Sequence, residues 1–147
     1  MLVILTLLFI AACYGAPQEM GEHVYDAESD CFEQHPSITR EYVEELKKTK
    51  KLPENPSRDL KCLFFCVGKK IQAMSESGDF HFETLKNVTV QITGGDADHD
   101  DAHGMVSKCF DVDHDDDCEK AYKYVECKID ELQPYKFSKG FCPACHE

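Results

Sequence analysis

Apolar residues recur three and four positions apart along much of the chain, the spacing that places them on one face of an α-helix. The first such stretch runs from Ser37 to Lys50, and Ser37 or Thr39 is suited to cap its amino end. Asn55 and Pro56 interrupt the pattern and suit the opening of a second helix. The apolar stripe of the second helix consists of Leu60, Leu63, Phe64, Val67, Ile71 and Met74.

The stretch from Phe80 to Thr93 fits two patterns. Some of its apolar residues alternate, as in a β-strand, whereas others recur at helical spacing. The residues at helical spacing are Phe82, Leu85, Val88 and Ile92. Because a lone strand finds no partner elsewhere in the chain, we predict a helix that ends at Gly94 and Gly95.

Two further helical stripes follow. The first consists of Ala102, Met105, Val106, Cys109 and Phe110. The second begins where Asp116 and Glu119 are predicted to form an acidic variant of the capping box, and Pro134 ends it. Its apolar residues are Cys118, Ala121, Tyr122, Val125, Ile129 and Leu132. The pattern as a whole predicts an all-α fold.

An uncharged apolar run of eleven residues, from Leu2 to Ala12, precedes the helical stretches. It is too short to span a bilayer and is typical of the core of a signal peptide. Cleavage after Gly15 places small residues before the cut, so residues 1–15 are predicted to be the signal peptide and residues 16–147 the mature, secreted domain. No other apolar stretch is long enough to anchor the chain, so membrane insertion is not expected.

The chain carries 28 acidic and 16 basic side chains, for a formal net charge of −12. Nucleic acids and anionic membranes are bound through clusters of Lys and Arg, so neither is an expected partner. The segment from Asp96 to Glu119 contains ten acidic residues and one lysine. A calcium loop starting at Asp96 fails, because Asp101 and Ser107 stand where such a loop needs Gly and a bidentate Glu. We therefore expect a solvated acidic face, with no metal and no cofactor.

The cysteines give the most specific signal. Once Cys13 is lost with the signal peptide, eight remain, an even number that suits an oxidising compartment. Cys62 and Cys66 lie one helical turn apart on a common face, so they are better placed to join two other segments than each other. Cys118 and Cys127 share one predicted helix at a separation of about 13.5 Å, beyond the reach of a disulfide. These constraints leave several connectivities open.

With this spacing the chain resembles the insect odorant-binding proteins, in the group of pheromone-binding and general odorant-binding proteins. The resemblance spans essentially the whole mature chain. Six cysteines carry it, namely Cys31, Cys62, Cys66, Cys109, Cys118 and Cys127. It also rests on L-K-C-L-F-F-C-V from Leu60, S-G-D-F-H-F-E-T-L from Ser77 and D-D-C-E-K-A-Y-K-Y-V-E-C from Asp116.

The resemblance implies a compact bundle of about six helices around an apolar cavity, with three interlocked disulfides. The implied bridges are Cys31–Cys66, Cys62–Cys118 and Cys109–Cys127. An extra pair, Cys142 and Cys145, departs from the usual pattern and stands in a C-P-A-C-H sequence that matches redox and haem-attachment motifs. Only His146 and Glu147 follow it, so we predict a disulfide that tightens the tail instead.

The resemblance implies a non-enzymatic carrier of small hydrophobic ligands, odorants or pheromones, through aqueous lymph. A secreted phospholipase is not indicated, because no paired cysteines precede His114 and Asp115. The alternative is a secreted helical structural or interaction protein, in secretion or defence, that has no cavity. The implied partners are a small apolar volatile or lipid-like ligand, a membrane odorant receptor and, for a homodimer, a second copy of the chain.

The predicted cavity lining is taken from the apolar stripes. It consists of Phe64, Val67, Met74, Leu85, Val88, Met105, Val106, Tyr122, Val125, Tyr135 and Phe137. A hydroxyl of Tyr122 or Tyr135 is expected to orient a polar ligand end. The tail, residues 134–147, is expected to cover the cavity mouth through Phe137 and Phe141. Asn87 opens an N-glycosylation sequon and is expected to face outward.

Overall fold

The computed structural model describes residues 20–147, so the predicted signal peptide and Cys13 lie outside the described residues. In the described part the chain forms six α-helices and a short 3₁₀ turn over Pro143–His146. The helices are α1 (Met20–Gln34), α2 (Arg40–Thr49), α3 (Arg58–Lys70), α4 (Phe82–Ile92), α5 (His99–Cys109) and α6 (Asp117–Glu131). None of these helices is long and apolar enough to cross a membrane.

Helix α1 was not predicted from the apolar pattern. Its buried residues after Gly21 are Val24, Ala27, Glu28 and Cys31, which recur at helical spacing. Glu28 interrupts the stripe with a charge, and Ala27 contributes little apolar surface. The buried positions of α1 therefore recur at helical spacing. The apolar pattern does not show this, because one of those positions is a carboxylate.

Polar caps set where the helices begin. The Thr39 hydroxyl accepts a hydrogen bond from the backbone N–H of Tyr42 at the start of α2, so Thr39 and not Ser37 is the cap. Ser57, rather than the predicted Asn55, caps α3. Asp116 accepts from the N–H of Glu119 at the start of α6. An unfilled backbone N–H at a helix end is costly, which is why these three helices start at such residues, whereas His81 before α4 makes no side-chain cap hydrogen bond.

The predicted capping box of α6 was only half right. The Glu119 carboxylate pairs with Lys61 of α3 and does not return to the cap. The reciprocal box lies instead at α5, where Asp98 accepts from the N–H of Asp101 and the Asp101 carboxylate accepts from the N–H of Asp98. Part of the acidic segment therefore starts a helix.

The segment with two possible patterns is helical, as predicted. Helix α4 ends at Ile92 with Thr93 as its C-cap, and Gly94 and Gly95 follow with φ of 61° and 81°. That left-handed backbone disfavours residues with a Cβ atom, which explains two successive glycines here. In the described residues, the only β pairing is an isolated bridge between Met74 and Phe80.

Four disulfides join the described residues. Cys31–Cys66 links α1 to α3, Cys62–Cys118 links α3 to α6, and Cys109–Cys127 links α5 to α6. This is the pairing that the resemblance implied, and it makes α3 and α6 the centre of the bundle. The fourth bridge, Cys142–Cys145, closes the 3₁₀ turn of the tail.

Candidate functional site

A cavity of about 180 Å³ lies inside the bundle. Helices α1, α2, α3, α4 and α6 contribute its walls, together with the segment after α3 and the C-terminal tail. Most of the lining side chains are apolar, and the polar exceptions include Glu28, Lys47, Thr89 and Lys128. An apolar cavity of about 150 Å³ holds a benzene-sized ligand, so this one has room for a small apolar molecule.

The structure brings seven of the predicted lining residues together around the cavity. They are Phe64, Val67, Met74, Leu85, Val88, Val125 and Phe137. They come from α3, α4, α6, the segment after α3 and the tail, so the apolar stripes of different helices converge on one space. Their role as ligand contacts stays a prediction.

Met105 and Val106 do not line the cavity, contrary to the prediction. Both are buried, but they lie on α5, which packs against α4 and α6 and contributes nothing to the cavity wall. Val106 belongs to a buried cluster with Leu85 and Tyr124, two residues that line the cavity themselves. An apolar stripe shows that a residue is buried, but not whether it faces a neighbouring helix or an empty space.

The two tyrosines that were expected to orient a ligand also lie elsewhere. The Tyr122 ring stacks on Phe64 with ring centroids 6.0 Å apart, and its hydroxyl donates to the Pro53 carbonyl at 3.3 Å. Burial, with nearby carboxylates, raises the pKa of Tyr122 to about 12. Tyr135 faces the acidic segment, where desolvation and then the Asp101 carboxylate raise the pKa of its hydroxyl. Neither side chain lines the cavity.

Helix α6 lines the cavity through a face that the sequence pattern identified only in part. That face consists of Ala121, Tyr124, Val125, Lys128 and Ile129. It shares Ala121, Val125 and Ile129 with the predicted stripe, but it also contains Tyr124 and Lys128, which that stripe omitted, and it leaves out Tyr122. A search for i, i+3 and i+4 neighbours that tolerated one lysine would have found it.

Lys128 is buried in the cavity wall. Its ammonium donates to the Thr89 hydroxyl at 3.1 Å, and that hydroxyl donates to the Leu85 carbonyl at 2.8 Å. Burial lowers the pKa of Lys128 to about 8, against a smaller opposing effect of Glu131. At neutral pH the side chain is therefore still mostly protonated.

Lys47, on α2, places a second ammonium at the cavity wall. It pairs with Glu28 of α1 at 2.7 Å and with Glu44 at 3.0 Å, and it donates to the Phe141 carbonyl at 2.9 Å. Burial raises the pKa of Glu28, and the attraction of Lys47 offsets part of that rise. This contact joins α1, α2 and the tail.

The tail folds back over the bundle. The backbone N–H of Ser138 donates to the carbonyl of Ile92 at 2.7 Å, at the end of α4. Phe137 and Phe141 pack edge to face with ring centroids 5.0 Å apart, and both line the cavity. The tail therefore forms part of the cavity wall, and its action as a lid stays a prediction.

The remaining candidate sites are placed as follows. Among residues 20–147, no group of three or more His, Cys, Asp and Glu side chains is arranged to hold a metal ion. Cys142 and Cys145 are joined to each other, and a ring nitrogen of His146 lies 2.9 Å from the Phe137 carbonyl. Asn87 is exposed on α4, as expected, and its glycosylation stays a prediction.

The fold, the interlocked disulfides and the apolar cavity define a class, the helical carriers of small hydrophobic ligands. The chain belongs to the PBP/GOBP family, whose sequence pattern matches residues 15–131. It is 30% identical over 138 residues to general odorant-binding protein 19d of Drosophila melanogaster, a match that covers 91% of this chain and 89% of that one. Members of this family are non-enzymatic, disulfide-rich secreted carriers that bind small hydrophobic ligands.

Solved structures show the same fold. The odorant-binding protein lmigOBP1 of Locusta migratoria superposes with a TM-score of 0.61 at 18% identity, covering 78% of this chain and 82% of that one. The odorant-binding protein dmelOBP28a of Drosophila melanogaster gives 0.62 at 24% identity, with 76% and 91% covered. The fatty acid binding protein OBP56a of the blowfly Phormia regina gives 0.55 at 20% identity, with 82% and 97% covered.

Proposed function

We propose that this protein carries small apolar ligands, odorants or pheromones, through an extracellular aqueous fluid and presents them to a membrane receptor. The observation that supports it is the apolar cavity of about 180 Å³ inside the bundle. Transfer of apolar ligand surface from water into such a cavity is favourable by about 25 cal/mol per Å². A molecule that dissolves poorly in water is thereby carried through it.

The proposal includes secretion, with residues 1–15 removed as a signal peptide and residues 16–147 forming the carrier. All eight cysteines of the mature chain are paired in the structure, which suits an oxidising extracellular compartment. The tail, residues 134–147, acts in this proposal as the wall that a ligand must displace to enter. Its two phenylalanines, Phe137 and Phe141, cover the cavity from that side.

The ligand class extends in this proposal to lipid-like molecules. The blowfly relative is named a fatty acid binding protein, and its fold matches this one with a TM-score of 0.55. The apolar cavity argues against the alternative, a secreted structural or interaction protein that has no ligand site.

Displacement of a fluorescent apolar probe tests the proposal. The mature protein is expected to bind the probe, and small apolar volatiles are expected to displace it. Val125→Phe enlarges a side chain of the cavity wall and is expected to weaken probe binding by roughly tenfold or more.

Tyr42→Trp is the matched control, because Tyr42 is 38% exposed on the surface and adding volume there leaves the cavity unchanged. Equal losses in the two variants would show that the probe binds outside the cavity. A folded protein that binds no apolar probe at all would favour the structural or interaction protein instead.

A further inference from the structure

The cavity wall contains two buried ammonium groups in different electrostatic settings. Lys47 and Lys128 are each 6% exposed. Lys47 has two carboxylates and one carbonyl as hydrogen-bond acceptors, so its three protons are all taken up. Lys128 donates one hydrogen bond, to a neutral hydroxyl.

Lys128 forms no ion pair with any carboxylate of the described residues. The carboxylate that acts on it, Glu131, is three positions along the same helix and is engaged by Lys108 at 2.7 Å. A buried charge without a counter-ion is costly, and proteins usually pair it or replace it with an apolar side chain. An ammonium left in this state at the wall of a cavity points to a partner that arrives with the ligand.

The groups around Lys128 define what that partner must be. The Thr89 hydroxyl already donates to the Leu85 carbonyl, so it accepts from Lys128 and has no proton to offer. The site therefore has unused hydrogen-bond donors, because the Lys128 ammonium can donate up to two further N–H bonds. Only a hydrogen-bond acceptor can take up these bonds, and an anionic acceptor also neutralises the charge of the ammonium.

Tyr124 adds a second free donor. It lies four positions before Lys128 on α6, lines the cavity, and has a buried hydroxyl with no hydrogen-bond partner among residues 20–147. Burial raises the pKa of Tyr124, so the hydroxyl keeps its proton. A carboxylate has two acceptor oxygens, enough for both donors.

We propose that the cavity prefers apolar ligands that end in a carboxylate, and that Lys128 forms the ion pair with that group while Tyr124 donates a hydrogen bond to it. This inference rests on the proposed carrier function. The apolar walls hold the ligand body, and Lys128 of α6, beside Thr89 of α4, holds its head. The net charge of −12 does not attract anions, so the preference has to come from this contact.

Two ligands of equal chain length test the inference, decanoic acid and decanol, measured by displacement of a neutral apolar probe at neutral pH. The unaltered protein is expected to bind decanoate roughly tenfold or more tightly than decanol, because charge-assisted hydrogen bonds are the stronger ones. This comparison needs no variant to fold. Lys128→Met keeps the length and apolar stem of the side chain and is expected to remove the preference while decanol affinity is kept or improved.

Lys123→Met is the matched control, because Lys123 is exposed on the same helix and its replacement changes the net charge equally. It is expected to keep the preference for decanoate. Tyr124→Phe is expected to reduce the preference by several-fold, less than Lys128→Met does.

The outcomes separate this inference from the carrier function. Equal affinity for decanoate and decanol in the unaltered protein, or an unchanged preference in Lys128→Met, would overturn the inference and leave the carrier function standing. Absence of binding of the probe and both ligands to the unaltered protein would contradict the carrier function itself. Loss of the preference in Lys123→Met as well would assign it to overall charge and overturn the role of Lys128.

Discussion

The two buried lysines, Lys47 and Lys128, show how one residue type serves two purposes in one cavity wall. Their exposure is the same, 6%. Lys47 is neutralised by Glu28 and Glu44 and joins three segments of the chain, whereas Lys128 has only the Thr89 hydroxyl. Burial alone therefore does not identify the role of a charged residue. The role follows from its partners, because a buried lysine with counter-ions is a structural contact, whereas one without a described counter-ion is a ligand contact.

The largest expected effect is on stability. Lys47→Met leaves Glu28 buried without its cation, which is expected to lower the free energy of unfolding by about 3–5 kcal/mol. Lys128→Met removes an ammonium that has no described counter-ion, so equal or greater stability is expected. Urea denaturation of both variants, followed by circular dichroism, measures the difference.

A double variant, Glu28→Gln with Lys47→Met, separates the lost ion pair from lost packing. It is expected to recover part of the stability of Lys47→Met, because no buried charge is then left unpaired. Similar destabilisation by Lys47→Met and Lys128→Met would erase the distinction between the two lysines.

A smaller effect is expected in the pH dependence of stability. Burial lowers the pKa of Lys128 from 10.5 to about 8, so between these pH values the unfolded chain binds a proton that the folded protein does not. The stability contributed by this group is therefore lowest at neutral pH and rises with pH through this window, by up to roughly 3 kcal/mol.

The Lys128→Met variant is expected to show no such rise of stability with pH. Tyrosine ionisation is common to both proteins and cancels in the difference. Urea midpoints of the unaltered protein and the variant, measured from about pH 7 to about pH 10, give the comparison. Parallel curves for the two proteins would mean that Lys128 is not desolvated in the folded protein.

The smallest effect concerns a third lysine, Lys50, which is half-buried and bonds to carbonyls only. Its ammonium donates to the backbone carbonyls of Leu132, Gln133 and Tyr135. Lys50→Met is expected to cost about 1 kcal/mol and to loosen the tail. Hydrogen exchange at the Ser138 amide is expected to become roughly fivefold faster, and that amide bonds to the Ile92 carbonyl.

Lys51→Met is the control for this change, since Lys51 is the exposed neighbour of Lys50. It is expected to leave exchange at Ser138 unchanged. Equal acceleration by both variants would indicate that general charge, and not the carbonyl contacts, holds the tail.

Much of the helical fold could be predicted from the sequence because local signals agree with the tertiary structure there. Thr39 as a cap and the paired glycines Gly94 and Gly95 mark boundaries that the structure shows. The apolar stripe of the second predicted helix runs too far, because α3 ends at Lys70 and Met74 lies in an isolated β-bridge. The cysteine pairing came from the family resemblance, since spacing left several connectivities open. These features depend on short-range chemistry or on a long pattern of specific residues.

Two of the missed features share one cause, a charged residue at a buried position. Glu28 hid α1, and the predicted stripe of α6 left out Lys128, although Lys128 lies on the cavity wall. A binary pattern assigns both residues to the surface, because it cannot know of a partner far along the chain or of a cavity. These two failures thus fall on charged residues that line the cavity.

The choice between core and cavity could not be read from periodicity either. Met105 and Val106 have the same pattern as Leu85 and Val88, yet α5 packs outside the wall that α4 forms. Helix packing order, which depends on long-range contacts, decides which stripe borders the empty space.

A crystal structure of the protein with decanoate bound tests the account most directly. The account predicts the alkyl chain inside the cavity, between Val67, Leu85 and Val125, with the carboxylate within hydrogen-bond distance of the Lys128 ammonium. Decanoate bound on the outer surface, or inside the cavity with its carboxylate turned away from Lys128, would contradict it.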